Sequence, residues 1–388
     1  MNLRPSTDAI PKISPGQARR LWIRAQKLDV NEPFGSGGAL ATQKAIEHLG
    51  YVQIDTINVI ERCHHHILYN RIPGYERQNL HDAQSKNKTV FEYWTHALSY
   101  VPAKDFRFFL PAMNRIKKSP GKWLSAVKKN ELQKVLRMIK SQGPISIRDI
   151  QDEVLVEKEH AWGSRKPSRK ALLLGFYSGR LVVNERQGML KKYDLLDRHF
   201  NWSEKPKAAT EIEILNYLVE RSLRSQSIVS LESICHLEPK RKIGVKRVLE
   251  KMTKLKELVE IQITGSEKIA HWIRPSELDS IPTVDPAQVH ILSPFDPLII
   301  QRKRLKVFFD YDHRFEAYVP PAKRVFGYFT LPVLIDGQVV AALDLKTDRN
   351  AQKLLIQKWN WVGRYQGSSL KKRIEASLAD FEKFQLAP

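Results

Sequence analysis

The chain has 388 residues, 42% of them hydrophobic, and its 64 Lys and Arg against 42 Asp and Glu give a formal net charge of +22 and a pI near 9.8. The apolar fraction excludes a disordered chain, and the length asks for two or three domains. The charge makes nucleic acid the first partner to consider and an anionic membrane surface the second.

Only Cys63 and Cys235 are present, so neither a disulfide framework nor a cysteine-rich metal site is expected. No run approaches the roughly 18 apolar residues of a membrane span and the N-terminus lacks an apolar core, so the expectation is a cytoplasmic protein with no membrane partner.

Ser14 before Pro15 is a helix start, and Ala18, Leu21, Trp22, Ala25 and Leu28 at helical spacing give a first helix. Glycines 35, 37 and 38 make a loop. Such a loop can cradle phosphate, but it lacks the Lys-Ser/Thr pair and preceding strand of a phosphate loop, so a plain loop is the other reading. Residues 40–49 read as a second helix stopped by Gly50, followed by a strand YVQID over 51–55 and a third helix through Tyr69. In that strand Gln53 and Asp55 share one face, while Val52 and Ile54 take the other.

From Asn130 a helical stripe of Leu132, Val135, Leu136 and Ile139 ends at SQG, and Ser146 with Asp149 is a capping-box start for the next helix. A third helix runs from Ser168 to Gly179, followed by two strands about Gly188. Helix, helix, helix and hairpin is the layout of a winged helix, whose third helix docks in a DNA groove. The order recurs with helices over 212–223, from Ser230, and over 245–255, then a hairpin about Gly265. The first unit is a third candidate for the same layout.

Basic residues cluster at both recognition-helix starts: Arg165, Lys166, Arg169 and Lys170, then Lys240, Arg241, Lys242, Lys246 and Arg247. Phosphate contacts from them give affinity without base specificity, and a solvated charged face is the alternative. Residues 275–286 read as a proline-bearing linker. Short strands follow, with Asp336-Gly337 at a hairpin tip, and residues 350–384 read as helical.

Taken alone, Gln53 and Asp55 can hold one water between them, Asp55 as base or charge stabiliser and Gln53 as its orienting partner. One carboxylate is few for a neutral glycoside but enough when the leaving group is already cationic, as an N7- or N3-alkylated purine is. Asp55 as a helix cap and Gln53 as a surface polar residue is the other reading. His64, His65 and His66 point about 100° apart on a helix and do not converge on one ion; a helix edge touching DNA backbone, or a solvated face, suits them better. Thr95 and His96 sit among aromatics in FEYWTHALSYVP, which can stack a base or fill a core. Asp336, Asp344 and Lys346 resemble a metal-dependent nuclease pattern only weakly.

The QID triplet with INVIERCHHHILYNRIPGY, the WTHALSYVP segment and the block LSPFDPLIIQRKRL to LIDGQVVAALDLKTDR resemble the AlkZ/YcaQ family of winged-helix DNA glycosylases over nearly the whole chain, and Asp55 is similar to its Gln-x-Asp (YcaQ, AlkX) branch. The resemblance implies an α+β fold of tandem winged-helix units, three in number, around a concave basic cleft, with a small C-terminal β domain and a terminal helix. The expected divisions are an N-terminal unit over 1–125, winged helices over 126–205 and 206–280, and the β domain over 281–388.

It also implies monofunctional excision of N7-alkylated purines and unhooking of interstrand crosslinks in double-stranded DNA by a monomer in the bacterial nucleoid, with no cofactor and no metal. Gln53 and Asp55 are the catalytic candidates carried over. The DNA-binding candidates are His64, His65, His96, Arg165, Lys166, Arg169, Lys170, Lys242, Lys246 and Arg247. A non-enzymatic winged-helix regulator is the alternative, with the nuclease behind it.

Overall fold

Ser14 sets the start of the first helix. Its hydroxyl accepts from the Gln17 N–H at 3.2 Å while the Gln17 side chain takes the Ser14 N–H at 2.9 Å, a reciprocal cap ahead of a first-turn proline. This computed structural model describes residues 10–151, 166–283 and 287–387.

In chain order, β1 (Lys12–Ile13) and α1 (Pro15–Ala25) precede α2 (Gly38–Leu49), β2 (Val52–Gln53), α3 (Cys63–Tyr69) and α4 (Arg77–His81). A hairpin of β3 (Val90–Trp94) and β4 (Leu98–Pro102) leads to α5 (Leu110–Lys118), α6 (Lys129–Gln142), β5 (Ile145–Ser146) and α7 (Pro167–Tyr177). Then come β6 (Leu181–Gln187), β7 (Leu190–Leu195), α8 (Leu196–Phe200), α9 (Glu211–Gln226), α10 (Leu231–Ile234) and α11 (Lys242–Lys254). The last part holds β8 (Val259–Ile263), β9 (His271–Ile273), α12 (Pro275–Asp279), β10 (Val289–Ile291), α13 (Arg302–Phe309), β11 (Thr330–Ile335), β12 (Gln338–Asp348), β13 (Lys353–Trp361) and α14 (Ser368–Leu386). Helix and sheet are mixed, as the α+β class requires.

Contacts divide the chain into two units, one of residues 1–37, 48–76 and 215–388, the other of 38–47 and 77–214. The stretch 1–125 thus contributes to both. In the first unit, Ile13, Leu21 and Trp22 share an interior with Ile261, Leu298, Phe308 and Leu334, which joins β1, α1, β8, α13 and β11. A second cluster sets Val219 of α9 against Val245 and Leu249 of α11 and Trp272 of β9. Strands β10 to β13 form an antiparallel sheet in sequence order, and Asp336 and Gly337 take φ of +48° and +68°, the left-handed pair that a two-residue hairpin turn demands. Strand β1 pairs in parallel with β8, Ile13 opposite Ile263. In the second unit, β5, β7 and β6 lie in that order beside α6 and α7, with Leu124, Leu132 and Leu174 buried together.

Four sequence expectations need correction. Residues 353–361 are not helical but form β13, antiparallel to β12 with Leu343 opposite Trp359; only Ser368–Leu386 is helix. The Leu, Ile and Trp of KLLIQKWNW suit a pleated surface, and pairing with β12 overrides local helix propensity. The 275–286 linker carries α12, and Arg24 and Arg20 donate to the carbonyls of Ser280 and Pro282. The YVQID strand is shorter than read, ending at Gln53. The helix expected to start at Ser146 does not begin there: residues 147–151 turn without forming a helix, although Asp149 does take the Ser146 N–H at 2.7 Å, and residues 152–165 lie outside the described residues.

Candidate active site

Val52, Gln53 and Ile54 are all buried, at 0%, 7% and 6% exposure, and Asp55 is the first of the run to reach solvent. Gln53 and Asp55 therefore do not share an outward face. The cause lies in α3, which packs on β2 and aims the Cys63 thiol at the Gln53 carbonyl, 3.0 Å away. Burial pushes the Cys63 pKa well above its usual value and the nearby Asp55 carboxylate adds to the effect, so the thiol stays protonated and donates.

Asp55 Oδ1 accepts the Ile57 N–H at 2.8 Å, closing a local turn and not capping a helix, since α3 begins only at Cys63. That bond uses one oxygen. Among the described residues Oδ2 accepts no hydrogen bond, so the carboxylate is oriented and half-exposed at once.

Long-range contacts fix the segment after Asp55. Arg349 donates to the Asn58 carbonyl and side-chain oxygens at 3.1 and 3.0 Å, the Thr347 N–H to the Val59 carbonyl at 2.8 Å, and the Glu61 N–H to Gln385 Oε1 at 2.6 Å. The end of β12 and helix α14 thus hold the loop between the carboxylate and α3. Sequence reading missed Thr347, Arg349 and Gln385, because partners so distant in the chain leave no local signal.

The histidines divide. His66 is fully buried, its Nε2–H donating to the Ile291 carbonyl at 2.7 Å, its ring 4.8 Å from that of Phe381; burial pushes its pKa down to about 4 and keeps it neutral. His64, expected at a DNA-facing edge, is 2% exposed and lies in the interior, because α3 is a packed helix rather than a surface one. His65 is partly exposed, with Nδ1 2.7 Å from the Tyr75 hydroxyl. His96 is partly exposed in the β3–β4 turn, beside Trp94, which is 52% exposed.

Among the basic candidates, Arg165 lies outside the described residues. Lys166 turns its ammonium onto the carbonyls of Ile147 and Ile150 at 3.2 and 2.8 Å, Arg169 is exposed and Lys170 partly so. On α11, Lys242 pairs with Glu232 at 2.9 Å, Lys246 with Glu250 at 3.7 Å, and Arg247 is exposed.

The nuclease pattern does not assemble. Asp336 is bound by Arg373 at 2.8 and 2.9 Å. Asp344 accepts the N–H groups of Tyr328 and Phe329 at 2.8 and 2.9 Å, and it lies roughly 20 Å along β12 from the turn. Among the described residues no group of three or more His, Cys, Asp or Glu is placed to hold a metal ion, and no helix is long and apolar enough to cross a membrane.

Comparison with solved structures finds Streptomyces sahachiroi DNA glycosylase AlkZ, with a TM-score of 0.60 and 14% identity over 96% of this chain and 97% of that one, a likeness of fold. The sequence profile described as DNA glycosylase AlkZ-like matches residues 46–384, a span that includes the Gln53–Asp55 segment and the Thr347 and Arg349 contacts that hold its loop. The chain belongs to that AlkZ-like family and is a DNA glycosylase.

Proposed function

We propose that this glycosylase excises N7-alkylated purines and unhooks interstrand crosslinks in double-stranded DNA, working as a monomer of the Gln-x-Asp branch without metal or cofactor. The observation that carries the reading is the Asp55 carboxylate, anchored through one oxygen and open at the other. An N7-alkylated purine is cationic, so it departs with the glycosidic electron pair and leaves as a neutral base without needing a proton. Positive charge then develops at C1′, where a fixed carboxylate stabilises it. Water adds to C1′ and gives its proton to Asp55. Gln53, buried beside it, positions the strand end and the water. A crosslinked base stays tethered to the opposite strand, and a carboxylate on a partly exposed loop suits such bulk better than a closed pocket.

DNA binding through winged-helix units around a basic cleft is supported by the helix and hairpin sets of α6, α7, β6 and β7, and of α9, α11, β8 and β9. Exposed Arg169 and Arg247, with Lys170, Lys242, Lys246, His65 and His96, are the proposed backbone contacts.

The test is base release in EDTA from duplexes carrying 7-methylguanine or a nitrogen-mustard crosslink. Free base and an abasic strand are expected. Asp55→Asn keeps the turn acceptor but removes the charge, so it slows release by about 100-fold or more while duplex affinity holds. Native-rate release by that variant, strand scission that requires Mg²⁺, or binding without release would each defeat the reading.

A further inference from the structure

At the end of α1 the backbone turns left-handed at Lys27, φ +57°, closed by the Lys27 N–H to Arg24 O at 3.0 Å and the Leu28 N–H to Ile23 O at 3.2 Å. Glycine takes this position without strain, so a lysine there costs about 1 kcal/mol of backbone energy. Lys27 lines a cavity of about 390 Å³ with Arg24, Arg224 and Arg274 and two carboxylates, Glu220 and Glu277. Both acids are taken. Glu277 binds Arg24 at 2.9 Å and the Ser227 hydroxyl at 3.1 Å, and Glu220 binds Arg274.

Among the described residues two cations have no carboxylate partner: Lys27, and Arg224, which donates Nε to the His48 carbonyl at 2.9 Å. His48 closes the wall, its Nε2–H donating to Ala25 O at 2.6 Å; burial first, then Lys27 and Arg224, push its pKa down to about 4, so it adds no charge at neutral pH. The turn at residues 226–228 that carries Ser227 is braced by buried Arg304, which donates to Gln226 Oε1 at 3.2 Å and Ile228 O at 2.7 Å, so this side of the cavity is built rather than loose.

We infer that this cavity is a phosphate-binding site, with Lys27 and Arg224 as its ligands. A mobile surface lysine would suffice for diffuse attraction; a lysine fixed in a strained turn beside an unpaired arginine fits a phosphate oxygen at a set place. The source of the phosphate is the DNA backbone, an identification that rests on the proposed action on duplex DNA, and free phosphate carries the same chemistry. The wall residue His48 stands shortly before β2 in the chain, so a phosphate held here is registered against the segment that ends at Asp55.

The test uses Lys27→Gly, which removes the ammonium and suits the left-handed turn, so the variant should melt at or above the wild-type temperature. Arg224→Gln is the second variant, and Lys372→Gln on the exposed face of α14 is the charge control. Anisotropy titrations of an undamaged duplex across a KCl series should show roughly three- to tenfold weaker binding for each cavity variant. The slope of log Kd against log salt should shrink by about one for each, with neither change in the control.

Cavity variants with wild-type affinity and slope overturn the proposal. If the wild-type chain binds no duplex, the proposed function fails instead, and the site is judged by melting in inorganic phosphate against chloride of equal ionic strength. Protection of the wild type but not of Lys27→Gly then upholds a phosphate site, and equal melting of the two overturns it.

Discussion

The Cys63 thiol donates to the Gln53 carbonyl at 3.0 Å, tying the first turn of α3 to the last residue of β2. Cys63 and Cys235 are 3% and 4% exposed, and burial raises both pKa values, that of Cys235 to about 11. Neither thiol should react with an aromatic disulfide reagent in the native protein, and both should titrate in urea. Cys63→Ala should cost about 1–2 kcal/mol in urea melts. A thiol that labels in the folded chain at the unfolded rate would contradict this burial.

Gly50 precedes the same strand with φ +80°, and a Cβ there would collide with Cγ and Cδ of Arg221. Arg221 in turn lies over the ring of Tyr51, 5.5 Å from its centroid. Gly50→Ala combines backbone strain with a clash, and we expect a loss of about 2–3 kcal/mol together with slower base release. The double variant Gly50→Ala, Arg221→Ala should recover part of the stability. A fully additive double would argue against the clash.

His66 sets a pH dependence. Its folded pKa is about 4, against an ordinary 6.5, because burial disfavours the imidazolium. Between these values the unfolded chain binds a proton that the folded chain does not, so stability rises with pH through this window and falls as pH drops from 6.5 toward 4. His48, His271 and His290, also pushed down to about 4, act with the same sign. His66→Gln should flatten the stability profile near pH 5 by about 1.4 kcal/mol per pH unit, read from urea melts at several pH values. An unchanged slope would mean that His66 is protonated in the fold.

Arg71 and Asp296 form a fully buried two-point pair at 2.7 and 2.9 Å, with Arg71 also donating to Gln26 O and Oε1 at 3.0 and 2.8 Å. Asp296→Asn leaves the guanidinium underpaired in the interior and should cost about 3–5 kcal/mol. The paired change Arg71→Met, Asp296→Leu should cost less than the single one. A single variant within about 1 kcal/mol of wild type would show that water reaches the site.

Sequence patterning recovered elements whose cause is local. The Ser14 cap, the Gly50 stop and the Asp336-Gly337 turn each rest on residues within four positions of one another, and each forms as read. What escaped depends on distant partners. The alternation read into 51–55 assumed one open face, but α3 covers Gln53, and nothing near Gln53 announces Cys63 as a hydrogen-bond donor to it. The 353–361 strand exists because β12 offers it an edge. The Asp55 loop is held by Thr347, Arg349 and Gln385, contacts that periodicity cannot reveal.

The pairing of Lys12–Ile13 with Gln262–Ile263 has a temporal meaning during synthesis. The first strand emerges from the ribosome some 250 residues before its neighbour, so it must wait unpaired while the mostly contiguous unit of 77–214 can already close. A nascent chain arrested before residue 262 therefore leaves the apolar side of the opening helix without Ile261 and Ile263, the residues of β8 that share its core.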